Sequence, residues 1–253
     1  MNISNKLGFV YSTKLGNKKV WVKRCGEDKR GWLNRAIHHL STKLGVLKHW
    51  QLSSALCPQV RFQHELAHHQ HFQSLGLPVP KIVYHTRHFF ITEDQGMRID
   101  RCNKAANATQ LSLAFDALIQ FHQAGVVHGR PSMRDIVYHP TSGVHLLDLE
   151  EAKVSKCPKL KARDAFLLIL DSYRLYGVSQ STRVHLLLRW LKVSGAHSAQ
   201  YMNSILTLLK LGLWVPAIIV KFRDNRLSKQ LLLTFRLLEK TKDQYLKNNT
   251  LAS

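Results

Sequence analysis

The chain begins with two short apolar runs of strand character. Residues 8–12 and 19–23 are rich in β-branched and aromatic side chains, and Leu15-Gly16-Asn17 between them is a turn. Residues 27–51 are basic and read as a helix without strong caps. Over residues 61–75, Phe62, Leu66 and Phe72 mark the apolar side of a helix, which Gly76 and Pro78 end. Residues 81–84 and 88–92 read as two more short strands, the second almost wholly apolar. The polar stretch Glu93-Asp94-Gln95-Gly96 then divides the chain into a smaller part, residues 1–95, and a larger part, residues 96–253.

Beyond the divide the apolar period lengthens. Leu111, Phe115, Leu118 and His122 fall on one face of an amphipathic helix. Residues 136–138 and 144–147 are short strands, and His139-Pro140-Thr141-Ser142-Gly143 makes them a hairpin. Residues 165–170 are apolar all round, which predicts a buried helix. From Arg183 onward the chain is leucine-rich, basic and helical in pattern. The expected fold class is therefore α+β, with a small antiparallel-sheet lobe preceding a larger helical lobe.

Composition narrows the partners. With 45% apolar residues in 253, the chain can bury a core. Lys and Arg number 37 against 16 Asp and Glu, a net charge of +21, which favours phosphate-bearing partners: nucleotide, nucleic acid, lipopolysaccharide or anionic lipid. Cys25, Cys57, Cys102 and Cys157 form no C-x-x-C pair, so reduced thiols and a cytoplasmic setting are expected. The opening residues, MNISNKLGFVYSTKLG, lack the apolar run of a signal peptide. Residues 205–220 carry Lys210 and Pro216 and fall short of the roughly 20 residues of a membrane span. A buried helix or one lying on a membrane surface is expected there. Leu206 to Leu238 also carries Lys210, Lys221, Arg223, Arg226, Lys229 and Arg236, a leucine-and-cation pattern that suits peripheral contact with anionic lipid.

The hairpin carries the most chemistry. Asp135 immediately precedes its first strand and Asp148 follows its second, so an antiparallel pairing brings both to its open end. Two carboxylates close together repel unless a cation sits between them, and Mg²⁺ shared with phosphate oxygens is the commonest such cation.

The surrounding run is His128-Gly129-Arg130-Pro131-Ser132-Met133-Arg134-Asp135-Ile136-Val137, followed after the turn by Val144-His145-Leu146-Leu147-Asp148-Leu149-Glu150. It resembles the catalytic and metal-binding loops of the protein-kinase-like superfamily, in the small bacterial branch that includes lipopolysaccharide core sugar kinases and aminoglycoside and choline phosphotransferases. The resemblance, which spans about residues 7–175, implies a two-lobed kinase-like fold with ATP and Mg²⁺ between the lobes. It places Asp135 where the family has its metal-binding Asn and Asp148 where it has the principal metal-binding Asp. Val20-Trp21-Val22-Lys23 looks like the strand whose lysine holds phosphate, and Glu65 looks like its ion-pair partner. Glu93 falls in the hinge that cradles the nucleotide, and His128 and Asp164 brace the loop. The implied activity is phosphoryl transfer to a hydroxyl of a sugar, a cell-envelope glycan or a small molecule.

Two departures accompany the resemblance. Arg130 stands where the family has its catalytic Asp; an arginine cannot act as a base but can bind phosphate bidentately. No G-x-G-x-x-G covers the nucleotide, since only Gly8 and Gly16 fall in the first hairpin. A nucleotide-binding pseudokinase acting as an interaction module is accordingly the alternative.

A different motif overlaps this one. His64-Glu65-Leu66-Ala67-His68 matches H-E-x-x-H, which on a helix sets two imidazoles one turn apart for zinc, with Glu93 available as a distant ligand. The extended form fails, because His71 and Ser74 stand where Gly and His are needed. In the kinase-like reading His64, His68, His69 and His71 are mostly surface residues. Nucleic acid is not favoured, because aromatics are not interleaved with the basic residues.

Overall fold

The runs on either side of Gly16 pair as a hairpin, β1 (Val10–Leu15) with β2 (Lys18–Arg24). Gly16 takes the left-handed φ of 60° that a two-residue hairpin turn needs, and no Cβ opposes it. The computed structural model describes residues 8–26 and 57–250, so the expected helix over 27–51 lies outside the described residues. β2 continues into β4 (Phe89–Glu93), and β4 into β3 (Ile82–His85), giving an antiparallel sheet of order β1-β2-β4-β3. The first hairpin runs on to Leu15↔Lys18, beyond the expected strands, because backbone pairing continues where the side chains are exposed and carry no apolar signal.

Helix α1 (Pro58–Ser74) packs on this sheet. It starts at Pro58, whose fixed φ and missing N–H cost little at a helix start, three residues before the expected boundary. Its buried residues Arg61, Phe62, Glu65, His69 and Phe72 recur at helical spacing on one face. The Phe62 ring stacks on Phe90 of β4 with centroids 5.5 Å apart. His69 corrects the expectation of a surface histidine: it is buried and its Nε2–H donates to the Pro80 carbonyl at 2.5 Å. Burial pulls its pKa down to about 4, against the opposing pull of that carbonyl.

The larger part is mainly helical, so the architecture is mixed α+β. α2 (Asn107–Gln123) buries Leu111, Phe115, Leu118 and His122, the stripe its period predicts. Phe121 on the same helix meets Phe72 of α1 edge-on at 5.3 Å, joining the two parts through one core. Two small sheets follow, β5 (Met97–Arg98) with β7 (Ile136–His139) and β8 (Gly143–Leu146), and β6 (Val126–Val127) with β9 (Lys153–Val154). α3 (Pro158–Ser172) runs through the core as expected. Against it pack α4 (Gln180–Gly212), interrupted at Gly195, and α6 (Arg226–Thr250). The fully buried Trp190 of α4 donates its Nε1–H to His122 Nδ1 at 2.9 Å.

Between α4 and α6 lies α5 (Trp214–Phe222), which buries no residue. Of the stretch 205–220, the part in α4 fits the buried alternative at Leu206, which lies in the core with Ile205 and Leu209 against it, whereas the part in α5 does not. Pro216 explains the break: it has no N–H for the carbonyl four residues back, at Gly212, where α4 ends. The axes of α4 and α5 differ by 52°, and no single helix among the described residues is long and apolar enough to cross a membrane.

Candidate functional site

Residues opposite each other in an antiparallel pair share a face of the sheet, and Lys23 lies opposite Phe90. Phe90 turns to α1, so Lys23 does as well. One turn along α1 from Phe62 stands Glu65, and the Lys23 ammonium lies 2.6 Å from its carboxylate. The same ammonium is 3.2 Å from Asp148 and 3.7 Å from Glu150, which come from the far end of the β7–β8 hairpin. Strand β2, helix α1 and the segment after β8 thus meet at one lysine. Arg61, one turn before Glu65, reaches Glu150 at 3.4 Å.

The hairpin delivers Asp148 by its register. The pairing Ile136↔Leu146 is extended by a Leu147 N–H to Asp135 carbonyl bond of 2.7 Å, so the two aspartates stand at the open end. Asp148 then takes a left-handed conformation, φ 58° and ψ 62°, the only non-glycine among the described residues with positive φ. Such a conformation costs a side-chain-bearing residue roughly 1–2 kcal/mol and persists where the surroundings impose it. It turns the chain sharply enough to set Asp148 and Glu150 beside the same lysine.

The preceding loop is held from below by α3. Asp164, fully buried, accepts the His128 N–H at 2.7 Å and the Gly129 N–H at 3.1 Å. Arg163 donates to the Gly129 carbonyl at 2.5 Å. Two turns further along α3, Asp171 accepts the Met133 N–H at 2.8 Å and the Ser132 hydroxyl at 3.2 Å. His128 Nε2–H donates to the Leu147 carbonyl at 2.9 Å, tying the loop to the strand that ends at Asp148. Gly129 is required in two ways: its φ is +92°, and a Cβ would lie 2.2 Å from the Glu151 carbonyl oxygen.

Charges in this cleft bias one another. Burial opposes the Lys23 charge, but Glu65, Asp148 and Glu150 outweigh it and hold the ammonium protonated well above its usual range. Burial drives Glu65 up to about 7, with Asp148 and Glu150 adding to the rise and Lys23 opposing it. Asp135 is pushed up to about 6 by burial and by Asp148. Burial would raise Asp148 too, but Lys23 and Arg130 prevail and its pKa is lowered. Glu151 is raised by burial. Arg130, more than half exposed, lies at the mouth with its guanidinium 3.7 Å from Asp148 and 3.9 Å from Glu151.

Most of the residues singled out in the sequence therefore meet. Lys23, Glu65, Asp148 and Arg130 form one ion-paired cluster, Asp135 feels the charge of Asp148, and His128 and Asp164 support the loop. Glu93 ends β4, where its N–H donates to the Lys81 carbonyl at 2.9 Å. For a metal, the oxygens of Glu65, Asp148 and Glu150 lie within 4.8 Å of one another, a hard-oxygen set of the kind Mg²⁺ takes. Asp135 is not part of that trio. Of the H-E-x-x-H residues, Glu65 faces Lys23, His64 is exposed and His68 stacks on Phe72 at 5.7 Å. The imidazoles of His64 and His68 have centroids 6.1 Å apart and are not in the metal-capable group found among the described residues. Two sizeable cavities, about 390 and 360 Å³, lie elsewhere, beside α1 and β3 and between α4 and α6.

Sequence reading missed Arg61, Glu151 and Asp171 as members of this site. Asp171 had a usable signal, because it stands seven residues after Asp164 and hence on the same side of α3. Arg61 had one too, four residues before Glu65 on the same helix face.

The site thus defines a mixed α+β protein with a lysine–carboxylate cluster at the meeting of a sheet, a helix and a loop. A scan of protein families finds none that matches the chain. The chain is similar to an uncharacterized protein of Haemophilus influenzae, at 30% identity over 153 residues, which is 58% of this chain and 55% of that protein. The chain thus spans about half the length of the curated relative it matches.

Proposed function

We propose that this chain is an atypical kinase-like phosphotransferase that binds ATP and Mg²⁺ and acts on a hydroxyl of a sugar, lipid-linked glycan or small molecule in the cytoplasm, where ATP is supplied. The observation that carries the reading is the convergence on Lys23 of Glu65 at 2.6 Å and Asp148 at 3.2 Å from separate parts of the chain. In this reading Lys23 binds phosphate, Glu65 positions Lys23, and Glu93 lies at the nucleotide hinge. Asp148, with Asp135 or Glu150, holds Mg²⁺, which would neutralise charge on the phosphates. The hinge to the helical part begins near residue 95, and Asp164 and Asp171 keep the loop over the metal ligands rigid. Transfer of the terminal phosphoryl group leaves ADP and a phosphate ester, and the substrate hydroxyl must lose a proton. Arg130 cannot take it; Glu151, raised by burial, is a carboxylate beside the loop suited to accept it, and Asp135 is another where Glu150 and not Asp135 completes the metal site.

A second reading, a nucleotide-binding pseudokinase acting as an interaction module, rests on one observation: Arg130 stands beside Asp148 where the resemblance calls for a catalytic carboxylate. Thermal-shift titration with ATP, with and without Mg²⁺, followed by turnover on cell-envelope extracts, distinguishes the two. The wild type should be stabilised by ATP with Mg²⁺, and Asp148→Ala should lose the Mg²⁺-dependent part while remaining folded. Arg130→Ala should weaken nucleotide or phosphorylated-substrate binding about tenfold if the guanidinium contacts phosphate, since a charge-assisted contact contributes roughly 1.5–3 kcal/mol. Binding without turnover in the wild type, with turnover appearing in Arg130→Asp, would favour the pseudokinase. No stabilisation by ATP under any condition would overturn both readings.

A further inference from the structure

The segment that links α4 to α6 exposes more apolar surface than a solvated helix requires. Leu211, Trp214, Ile218 and Phe222 are 73%, 66%, 47% and 87% exposed. Their spacing of three or four residues places them in one stripe that continues from the end of α4 along α5, with Val215 and Ile219 at its edge. Leu208 before the stripe and Leu227 after it are also exposed. Monomeric soluble proteins rarely leave such a contiguous apolar patch uncovered.

Charge decides what covers it. Within residues 205–230 the basic residues are Lys210, Lys221, Arg223, Arg226 and Lys229, and the acidic residue is Asp224. Asp224 is paired with Lys229 at 2.8 Å, so it neutralises one cation of the collar and leaves an excess of positive charge around the apolar stripe. A second copy of the chain would bring the same cations, and a net charge of +21, against this face. An anionic bilayer meets both features at once, with headgroup phosphates at the collar and acyl chains under the stripe. A helix of nine residues is about 13 Å long, far below the roughly 30 Å hydrocarbon core, so α5 suits insertion in the interfacial plane and not a span. The bend of 52° at residue 213 lets α5 lie along a surface while α4 and α6 stay packed in the body.

We propose that α5 and its basic collar dock this protein on an anionic membrane surface. The proposal stands apart from the phosphotransfer reading, because it uses none of the residues around Lys23. The test is flotation of the full chain with vesicles of equal parts phosphatidylcholine and phosphatidylglycerol, and with pure phosphatidylcholine vesicles. The wild type should float with the former, less so at high salt, and stay behind with the latter. The double variant Ile218→Glu, Phe222→Glu should lose at least about tenfold in vesicle partition, as a buried interfacial contact worth more than about 1.4 kcal/mol requires. Its melting temperature should be unchanged, since both side chains are exposed. Equal flotation of the double variant, or no flotation of the wild type, overturns the proposal. So does a dimer in light scattering that the double variant converts to a monomer, because the stripe would then be covered by a second copy.

Discussion

Glu65 has 3% of its side chain exposed and owes its tolerance to Lys23 at 2.6 Å. Removing one partner of a buried ion pair is far costlier than removing both, because the remaining group keeps the desolvation penalty without the attraction. Lys23 holds the Glu65 pKa down against burial, so in Lys23→Met the buried carboxyl must take up a proton or stay unpaired, and the variant should lose about 3–5 kcal/mol in urea denaturation at pH 8. Adding Glu65→Gln should restore much of that loss. If the double variant is as unstable as the two single losses summed, the two side chains are not coupled and the pair does not hold the site. The same residue shows why the H-E-x-x-H pattern misleads. The motif is defined by spacing on one helix, whereas the partner that engages Glu65 comes from a strand 42 residues earlier in the chain.

At the scale of elements, α3 is the brace of the site. Its Asp164 and Asp171 hold the loop at two points, His128 with Gly129 and Ser132 with Met133. Each has a further partner outside the loop: Asp171 pairs with Arg174, and Asp164 lies 3.5 Å from His122 and 4.0 Å from Arg163. Asp171→Ala should raise hydrogen exchange of the Met133 amide at least about tenfold, as expected for the loss of a contact worth roughly 1.5–3 kcal/mol to a charged group. Exchange at His128 and Gly129, held by Asp164, should stay slow. Unchanged exchange at Met133 would mean that the loop is held by its own turn, in which the Asp135 N–H donates to the Ser132 carbonyl at 2.9 Å. The hairpin β7–β8 contributes in another way: its register alone fixes which residues stand at its open end, while α1 fixes what they face.

For the whole molecule, the carboxylates gathered around one lysine make stability depend on pH. Asp135 and Glu65 have folded pKa values of about 6 and about 7, above the ordinary values of 3.8 and 4.5. Between the ordinary and the folded values the native state binds more protons than the unfolded state, so stability falls as pH rises from about 4 to about 7. Asp148, whose pKa is lowered, works in the opposite sense and contributes stability that is lost only in stronger acid. Asp135→Asn should flatten the decline and raise the melting temperature at pH 8 by about 2–4 °C for each kcal/mol recovered. A wild-type melting temperature that is level from pH 5 to 8 would show that the cleft is more hydrated than its burial implies. Several elements could be read from the sequence, because their signals are local: the β-branched runs around Gly16, the stripe Leu111, Phe115, Leu118 and His122, and the hairpin around Gly143. The sequence also determined that Asp135 and Asp148 share one end of a hairpin, since antiparallel pairing requires it. Which face Lys23 takes was decided by the pairing with Phe90 and the packing of Phe90 on Phe62, contacts between segments that no spacing encodes. Burial of His69 was likewise decided by a distant carbonyl, that of Pro80, which a polar residue on a helix surface does not announce. The exposure of α5 followed from Pro216 ending α4 at Gly212, after which the chain turns away and leaves its apolar stripe outside the core.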